Sequence, residues 1–292
     1  MFPLVCIILV NYNGYEDTID CIKSLLNIDY DNFKIIVIDN GSTKLCDEKS
    51  EKYIFENTEY IKVESNIGFS GGNNIGIKYA QRYNPDYFLL LNNDTVVEPN
   101  FLNELVNLKD YSTDIGIICG RIKFYDMPDK LWYAGGEINY KTGKTIHTGY
   151  MQADSQELIK NRFVSFATGC LMLLPKETIS RVGLLNEEYF LYCEDTDYCF
   201  RVLSEELKIL YCGRSCIYHK VSASTGKGSD LQSYYLVRNA LILTEKYINM
   251  GFKVKVYYFI KYFKLIILGK VKLRTAKEAI YDFYNHKTGK RG

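Results

Sequence analysis

The chain has 292 residues, a formal net charge of +1 and a hydrophobic fraction of 47%, values ordinary for a soluble globular protein with a large core in one or two domains. Its nine cysteines include no zinc-type CxxC pair, and their odd number without a secretory signal pattern argues against a disulfide framework. We therefore expect reduced thiols and a cytoplasmic protein.

Charge is distributed unevenly along the chain. Residues 246–292 contain 12 basic and two acidic residues, a net of +10, whereas the remainder contains 24 basic and 33 acidic residues, a net of −9. An acidic body with a basic, aromatic tail predicts that the tail meets an anionic surface. We expect no nucleic-acid partner.

Short apolar runs alternate with helical spacings through the first 120 residues. Each run is short and ends in polar residues, which predicts a strand buried on both faces. The four runs are Leu4–Val10, Ile35–Ile38, Tyr60–Val63 and Phe88–Leu91. Between the first two, one helical face carries Ile19, Ile22, Leu25 and Leu26. The alternation predicts an α/β fold with a mostly parallel sheet and helices on both faces.

Polar side chains follow each predicted strand, at Asn11, Asp39, Asn66 and Asn92. Ligands of open α/β sheets bind just beyond the carboxyl ends of the strands, so these residues predict one wall of a nucleotide site. Neither a G-x-G-x-x-G motif nor a P-loop accompanies them. Another group must therefore neutralise the negative charge of a bound diphosphate.

The fourth strand ends at Asn92-Asn93-Asp94. A lone carboxylate on a rigid strand end suits a hard cation that bridges substrate phosphates. The alternative is an ordinary turn, in which Asp94 or Thr95 helps to cap the helix predicted near residues 100–108.

The pattern changes after residue 120. Leu131–Tyr140 and Phe163–Leu174 are β-like, and we interpret them as the half that closes over the sugar and the acceptor. Trp132, the only tryptophan, is either a stacking platform for a ring or a core residue. We divide the chain into a nucleotide-sugar half (1–120), an acceptor half of the same domain (121–228) and a helical, basic-aromatic extension (229–292).

Three carboxylates open a predicted helix at Glu194, Asp195 and Asp197, after a strand-like aromatic run at Tyr189–Tyr192. Acidic residues in a first turn complement the helix dipole, but three in four positions exceed what a cap needs. Crowding of carboxylates raises the pKa of one of them, as a general base requires.

A further strand, Lys208–Tyr218, ends at His219, and a helix is predicted from Ser229 to about Asn249. The His219 imidazole would complete a metal site begun by Asp94, although a single histidine is usually structural or solvated. Arg238 on this helix would clamp phosphate, with a surface ion pair as the alternative.

The segment Phe252–Leu268 is strongly apolar and aromatic but is interrupted by lysines. It is too polar and too short for a membrane span, and it predicts an interfacial helix whose lysines reach back towards water. Packing within a C-terminal subdomain and contact within a homo-oligomer are the alternatives.

Short motifs occur in order between residues 4 and 240: ILVNYNG, IIVIDNGS, NIGFSGGNNIGI, LLLNNDT, TGCLMLLP, FLYCEDTDYCFR, and YH followed by YYLVRN. In this order they resemble the inverting family 2 glycosyltransferases of GT-A fold, especially bacterial rhamnosyltransferase-like members. The resemblance implies that Asp39 contacts the nucleotide base. It places Asn92, Asn93 and Asp94 at the DxD motif, with His219 as a further ligand for Mn²⁺ or Mg²⁺. Because Asn92 replaces the first acid, the site has one less negative charge.

The same resemblance makes Asp195, paired with Glu194, the catalytic base. We expect the remaining site residues to contact the substrates: Asn11, Asn66, Asn92, Asn93 and Arg238 the donor, and Trp132 and Tyr192 the acceptor.

The resemblance implies transfer of one sugar, with rhamnose favoured, from a dTDP- or UDP-sugar donor. The acceptor would be a hydroxyl of a glycan or of a polyprenyl-diphosphate-linked acceptor in bacterial surface polysaccharide synthesis. The QxxRW motif of processive synthases is absent, so we expect no polymerisation. The basic tail would hold the protein on the inner face of the cell membrane. Alternatives are a UDP-hexose-dependent galactosyl- or glucosyltransferase, then a nucleotidyltransferase or a non-catalytic glycan-binding protein.

Overall fold

The computed structural model describes residues 2–108, 111–221, 229–248 and 251–292. Its strands are β1 (Val5–Asn11), β2 (Phe33–Asp39), β3 (Glu59–Lys62), β4 (Tyr87–Asn92), β5 (Thr95–Val97), β6 (Ile115–Phe124), β7 (Leu131–Tyr133), β8 (Gly136–Asn139), β9 (Lys144–His147), β10 (Arg162–Val164), β11 (Leu171–Pro175) and β12 (Lys208–His219). Its α-helices are α1 (Tyr15–Leu25), α2 (Glu48–Asn57), α3 (Gly68–Ala80), α4 (Phe101–Val106), α5 (Lys176–Val182), α6 (Glu194–Ser204), α7 (Asp230–Tyr247), α8 (Phe252–Ile267) and α9 (Leu273–Tyr284).

One large sheet has the strand order β10-β12-β6-β11-β4-β1-β2-β3, with β5 beside β12 and β7 beside β6. Strands β4, β1, β2 and β3 are parallel, as the sequence predicted. Strand β11 runs antiparallel to both β4 and β6, so the complete sheet is mixed. Strands β8 and β9 form a separate hairpin. The predicted α/β architecture is confirmed.

Helix α3 lies close to β1 because its inward positions are glycines. A Cβ atom at Gly76 would lie 2.4 Å from Cγ2 of Ile8, and one at Gly72 would lie 2.7 Å from Cγ1 of Val10. The glycine-rich motif therefore permits close packing of a helix on the central strand. In α1 the predicted apolar face is buried at Ile22 and Leu25 and partly buried at Ile19, whereas Leu26 is 44% exposed because it lies just beyond the end of the helix.

The predicted strand at Tyr189–Tyr192 is wrong. A short 3₁₀ turn ends at Tyr189, and Phe190, Tyr192 and Cys193 all have positive φ angles. The buried amide of Asn239 holds this turn by donating hydrogen bonds to three of its carbonyl groups, those of Tyr189, Leu191 and Tyr192. This turn positions the start of α6, so a long-range contact from α7 overrides the local β-like pattern.

The C-terminal helices pack on the turn before α6 and form a second apolar cluster. It contains Phe190, Tyr234, Tyr235, Val237, Leu241, Tyr258, Tyr262, Val271, Ala276, Ala279 and Phe283. The predicted helix at Phe252–Leu268 corresponds to α8, while α9 was not predicted as a separate helix. Within the described part of the chain, no helix is both long enough and apolar enough to cross a bilayer.

Candidate functional site

The parallel register places the polar strand ends side by side. Asn11 pairs with Asp39 across β1 and β2, and Val10 pairs with Asn92 across β1 and β4. The backbone N–H of Asn92 donates to the carbonyl of Cys170 at 3.0 Å, and the N–H of Gly169 donates to Oδ2 of Asp195 at 3.3 Å. The segment just before β11 therefore connects the end of β4 to the carboxylate of Asp195.

Asp39 is a fully buried carboxylate surrounded by hydrogen-bond donors. Its Oδ2 accepts from the hydroxyls of Tyr15 and Tyr60, both at 2.8 Å, and its Oδ1 accepts from the N–H of Ser42 at 2.9 Å. Burial raises the pKa of Asp39, but the hydrogen bonds from Ser42, Tyr15 and Tyr60 outweigh it and lower the pKa overall. The group is thus held ionised as an acceptor.

The other amide residues of the wall mainly hold its loops. Oδ1 of Asn11 accepts from the N–H of Gly14 and the hydroxyl of Thr18, and Nδ2 of Asn93 donates to that hydroxyl at 2.9 Å. Oδ1 of Asn66 accepts from the N–H of Gly68 at 2.9 Å. Asn11, Asn66 and Asn93, which we expected to contact the nucleotide-sugar donor, therefore form hydrogen bonds within the protein itself. These bonds fix the backbone that shapes the wall of the predicted nucleotide site.

Asp94 and His219 lie together, as the metal hypothesis required. Strand β5 pairs with the end of β12, and Nε2 of His219 lies 3.1 Å from Oδ1 of Asp94, with both side chains largely buried. Burial alone lowers the pKa of His219, but Cys170 and Asp94 outweigh it and raise the pKa to about 10. Nδ1 of His219 is buried and has no hydrogen-bond partner.

These groups fit one side of a divalent cation site. An imidazole nitrogen and a carboxylate are suitable ligands for Mn²⁺, and Nε2 of His219 and Oδ1 of Asp94 are close enough to approach one ion. The described residues contain no cluster of three histidine, cysteine or acidic side chains that could hold a metal alone. Oxygen atoms of a bound diphosphate would have to supply the remaining ligands.

Trp132 lies between two histidines beside the candidate metal ligands. Its ring centroid is 4.7 Å from those of His147 and His219, in edge contacts. His147 also stacks on Phe166, and burial lowers its pKa. Sequence reasoning missed His147, since one histidine in a short strand gives no signal. Trp132 is half-buried, so its ring has both a packing role and an exposed part.

The three carboxylates at the start of α6 have different surroundings. Asp197 is fully buried and receives hydrogen bonds from Arg201, Lys246 and Tyr247, so it is structural. Asp195 is half-buried and accepts from the N–H of Thr196 at 2.7 Å, and burial raises its pKa. Among the residues that the structure describes, no cation holds Asp195 in a fixed ion pair.

Glu194 is the most perturbed carboxylate of this turn. It is buried, its Oε2 has no hydrogen-bond partner, and its pKa is raised to about 8. Burial is the larger cause and the charge of Asp195 the next. The pKa of one carboxylate in this turn is therefore raised, as the sequence predicted. Burial of Glu194 contributes more to this shift than the crowding of carboxylates that the sequence indicated.

The predicted phosphate contact of Arg238 is not supported by its position. Its side chain is 1% exposed, and its guanidinium donates to the carbonyl groups of Glu188, Tyr189 and Gly289. These bonds connect the end of the chain to the turn before α6. Tyr192 lies nearer the surface, where its hydroxyl accepts from Nε2 of Gln232 at 3.2 Å.

Comparison with known proteins identifies the family. The model of the glycosyl transferase family 2 domain matches residues 6–182, more than half of the chain. The chain belongs to glycosyl transferase family 2. The protein is therefore a glycosyltransferase, and the acidic turn of α6 follows the matched region.

Three relatives of this family 2 glycosyltransferase are themselves sugar transferases. The low-salt glycan biosynthesis hexosyltransferase Agl10 of Haloferax volcanii is 28% identical over 245 residues, covering 83% of this chain and 76% of the relative. Rhamnosyltransferase WbbL of Escherichia coli K12 is 26% identical, with coverages of 71% and 80%. The dTDP-rhamnosyl transferase RfbF of Shigella flexneri is 23% identical, with coverages of 82% and 79%.

Solved structures confirm the GT-A fold. GalNAc-T7 with UDP, GalNAc and Mn²⁺ superposes with a TM-score of 0.64 at 15% identity, covering 98% of this chain and 58% of that one. The mannosyltransferase PcManGT of Pyrobaculum calidifontis, with GDP-Man and Mn²⁺, gives a TM-score of 0.59 at 13% identity, covering 98% and 76%.

Proposed function

We propose that this family 2 glycosyltransferase moves a single sugar, with inversion, from a dTDP- or UDP-sugar to a hydroxyl of a glycan or lipid-linked acceptor. The proposal is carried by the contact of Gly169 with Asp195, because the adjoining Cys170 also binds the backbone of Asn92. Asp195, the potential base, and the end of β4, the potential diphosphate site, thus both contact the short segment formed by Gly169 and Cys170.

In this mechanism Asp195 removes the proton from the acceptor hydroxyl as its oxygen attacks the anomeric carbon. The bond between that carbon and the nucleoside diphosphate breaks from the opposite side, so one base suffices and no covalent enzyme intermediate forms. Asp94 and His219 would hold a divalent cation, Mn²⁺ or Mg²⁺, which supplies positive charge next to the departing diphosphate when bound. Glu194, with its raised pKa, would limit the negative charge that surrounds the base.

The donor follows from the chemistry of Asp39. Asp39 is fully buried, so contact with a base requires Tyr15 or Tyr60 to move aside; its ionised carboxylate would then accept a hydrogen bond from the imide N–H of uracil or thymine, a donor that adenine and cytosine lack. Rhamnose is the favoured sugar because two relatives are named for rhamnosyl transfer. A UDP-hexose-dependent galactosyl- or glucosyltransferase is the second candidate.

The C-terminal helices would hold the enzyme on the inner face of the cell membrane. Helix α8 exposes an apolar side at helical spacing, made of Phe252, Val256, Phe259, Ile260, Phe263 and Ile267, which we call the α8 face. Lysines flank it, and a helix with this composition suits the interface of an anionic bilayer. A lipid-linked acceptor would be presented at the same surface.

Product analysis tests the proposal directly. The intact protein is incubated with dTDP-rhamnose, UDP-glucose or UDP-galactose and Mn²⁺, and free nucleotide and released sugar are measured by mass spectrometry. We expect dTDP-rhamnose to be consumed fastest. Faster use of a UDP-hexose would select the second candidate, and no nucleotide release from any donor would contradict the proposal.

A further inference from the structure

Lys220 joins the end of β12 to helix α1 through two ion pairs. Its ammonium lies 2.9 Å from Oδ1 of Asp17 and 2.8 Å from Oδ2 of Asp20, and its side chain is only 15% exposed. The two aspartates are three positions apart on α1, so they lie on one side of the helix, where their charges repel one another unless a cation lies between them. An ammonium has three donors and can bond to both carboxylates at once. We call these two ion pairs the Lys220 clasp.

The backbone of Lys220 adjoins both candidate metal ligands. Lys220 directly follows His219, and its N–H donates to the carbonyl of Asp94 at 2.9 Å. His219 pairs with Thr95 where β12 meets β5, and Nε2 of His219 lies 3.1 Å from Oδ1 of Asp94. One residue is therefore linked to both of the side chains that would hold the cation.

Helix α1 gives the Lys220 clasp a fixed support. The hydroxyl of Thr18 is hydrogen-bonded to Asn11 and Asn93, which lie in the wall of the predicted nucleotide site. Further along the helix, the hydroxyl of Ser24 accepts from the N–H of Val97 in β5 at 3.2 Å. The clasp thus connects the end of β12 to a helix that is itself fastened to the nucleotide wall and to β5.

The Lys220 clasp differs from an ordinary surface ion pair, which contributes little to stability. Its lysine is largely buried and bonds to two carboxylates instead of one. Burial lowers the pKa of Lys220, but the bonds to Asp20 and Asp17 outweigh burial and raise the pKa, so the cation persists. Groups behind the metal ligands that fix the orientation of those ligands commonly set the affinity of a metal site.

We propose that Lys220 is a positioning residue for the divalent cation of the donor site. The Lys220 clasp fixes the end of β12 against α1 and thereby holds His219 and Asp94 at the spacing that one ion requires. Lys220 itself contacts neither the cation nor the diphosphate. The inference rests on the proposed function and deepens it, because it names a contact behind the metal ligands that sets their affinity for Mn²⁺.

Titration of Mn²⁺ into the intact protein with saturating UDP tests this role. Free aqueous Mn²⁺ is measured by electron paramagnetic resonance, which reports metal affinity without a measurement of turnover, and a protein-free titration corrects for the metal that UDP binds alone. The variants are Lys220→Met, Lys220→Arg, Lys208→Met and the double variant Asp17→Asn/Asp20→Asn.

Lys208 is a matched control at the opposite end of β12. Its N–H donates to the carbonyl of Asp114 at 2.7 Å, and its ammonium lies 2.8 Å from Oδ2 of the same residue. Lys208→Met therefore removes the same charge and an ion pair of the same length from the same strand, away from His219.

We expect Lys220→Met to weaken Mn²⁺ binding by about tenfold, a loss typical of groups that orient metal ligands. Lys220→Arg should restore most of the affinity, because arginine keeps the charge and can bond to both carboxylates. The double variant Asp17→Asn/Asp20→Asn should also weaken Mn²⁺ binding, because it breaks the same clasp. Lys208→Met should bind Mn²⁺ as the wild type does.

The sign of the charge change separates positioning from long-range electrostatics. Lys220→Met removes a positive charge near the site, so electrostatics alone would strengthen Mn²⁺ binding in this variant. Mn²⁺ binding by Lys220→Met that equals or exceeds that of the wild type would therefore overturn the proposal.

Calorimetric titration with UDP in EDTA gives the second measurement. We expect Lys220→Met to bind metal-free UDP as the wild type does, and a loss there equal to the loss of Mn²⁺ affinity would overturn the proposal, because Lys220 would then contact the nucleotide itself. A wild-type protein that binds no Mn²⁺ with UDP would contradict the cation site as well. Donor turnover measured on the same preparation tests sugar transfer separately.

Discussion

The partners of a carboxylate decide its role in this protein. Asp197 receives hydrogen bonds from two cations and two tyrosines, which makes it a structural anchor of α6. Asp195, two positions earlier, accepts from backbone N–H groups and a threonine and keeps no fixed ion pair among the described residues. A base must be able to accept a proton, so Asp195 is the suitable one of the two.

The nucleotide preference is testable at Asp39. Replacing it by asparagine removes the charge from the hydrogen bond to the imide N–H, so we expect binding of dTDP and UDP to weaken by roughly tenfold. Calorimetric titration gives the affinities, with ADP and CDP as control ligands. Tighter binding of ADP or CDP than of UDP to the wild-type protein would be inconsistent with this role of Asp39.

Metal dependence is testable at Asp94 and His219. Asp94→Asn and His219→Gln should each weaken donor binding in the presence of Mn²⁺, because each removes one proposed ligand, and EDTA should have the same effect on the wild type. Circular dichroism checks that these buried variants remain folded. Undiminished turnover of the wild type in EDTA would exclude the metal role.

Glu194 should make stability depend on pH. Its pKa is about 8 in the folded state, above the ordinary value of 4.5, so the folded state favours the protonated form. The wild type should therefore lose stability relative to Glu194→Gln as the pH rises from about 4.5 to about 8, and the difference should level off above that. Urea unfolding at pH 5 and pH 9 measures it. A difference that does not change with pH would show that Glu194 ionises normally.

At the scale of secondary-structure elements, the sequence predicted those features that depend on the local pattern of apolar and polar residues. The apolar runs of β1, β2 and β4 are buried strands, and α6 begins at Glu194 as predicted. The third run forms a strand too, but β3 lies at the edge of the sheet and is only partly buried, so the expected burial on both faces is wrong there. The turn at Phe190 was not predictable, because it depends on Asn239 and on Gly68, whose position is so tight that a Cβ atom there would lie 2.3 Å from the Phe190 carbonyl oxygen. The buried fate of Arg238 was unpredictable for the same reason, since its partners are distant carbonyl groups.

Membrane binding is testable at helix α8. Phe259 and Phe263 are 72% and 57% exposed and stack on one another, so replacing both by serine should leave the fold intact while removing apolar groups that would enter the bilayer. We expect this double variant to lose flotation with anionic vesicles. Leu45→Ser is the control, because Leu45 is 98% exposed and lies outside α8.

The salt dependence of vesicle binding gives a second test of the contact between α8 and the membrane. The wild type should bind anionic but not neutral vesicles, and binding should weaken as salt is raised because the screening length falls to roughly 3 Å at 1 M. If the intact protein fails to float with anionic vesicles at low salt, α8 instead packs against a second copy of the chain or another partner.

At the scale of the whole molecule, the C-terminal helices belong to the catalytic unit. Lys246 pairs with Asp197, Arg238 and Asn239 hold the turn before α6, and the hydroxyl of Tyr234 donates to Asp282 of α9. Deleting α8 and α9 would expose buried tyrosines next to that turn. Surface variants therefore separate membrane binding from folding more cleanly than truncation does.

Asp195 is the proposed base for glycosyl transfer. Its most direct test is the rate of nucleotide release from the preferred donor by the wild type, Asp195→Asn and Asp129→Asn, with donor affinity measured in parallel. Asp129 is exposed and outside the site, so its variant controls for the loss of one charge. We predict that Asp195→Asn lowers turnover by roughly 10²- to 10⁴-fold with little change in donor affinity, while Asp129→Asn behaves as the wild type. Wild-type turnover by Asp195→Asn would show that Asp195 is not the base.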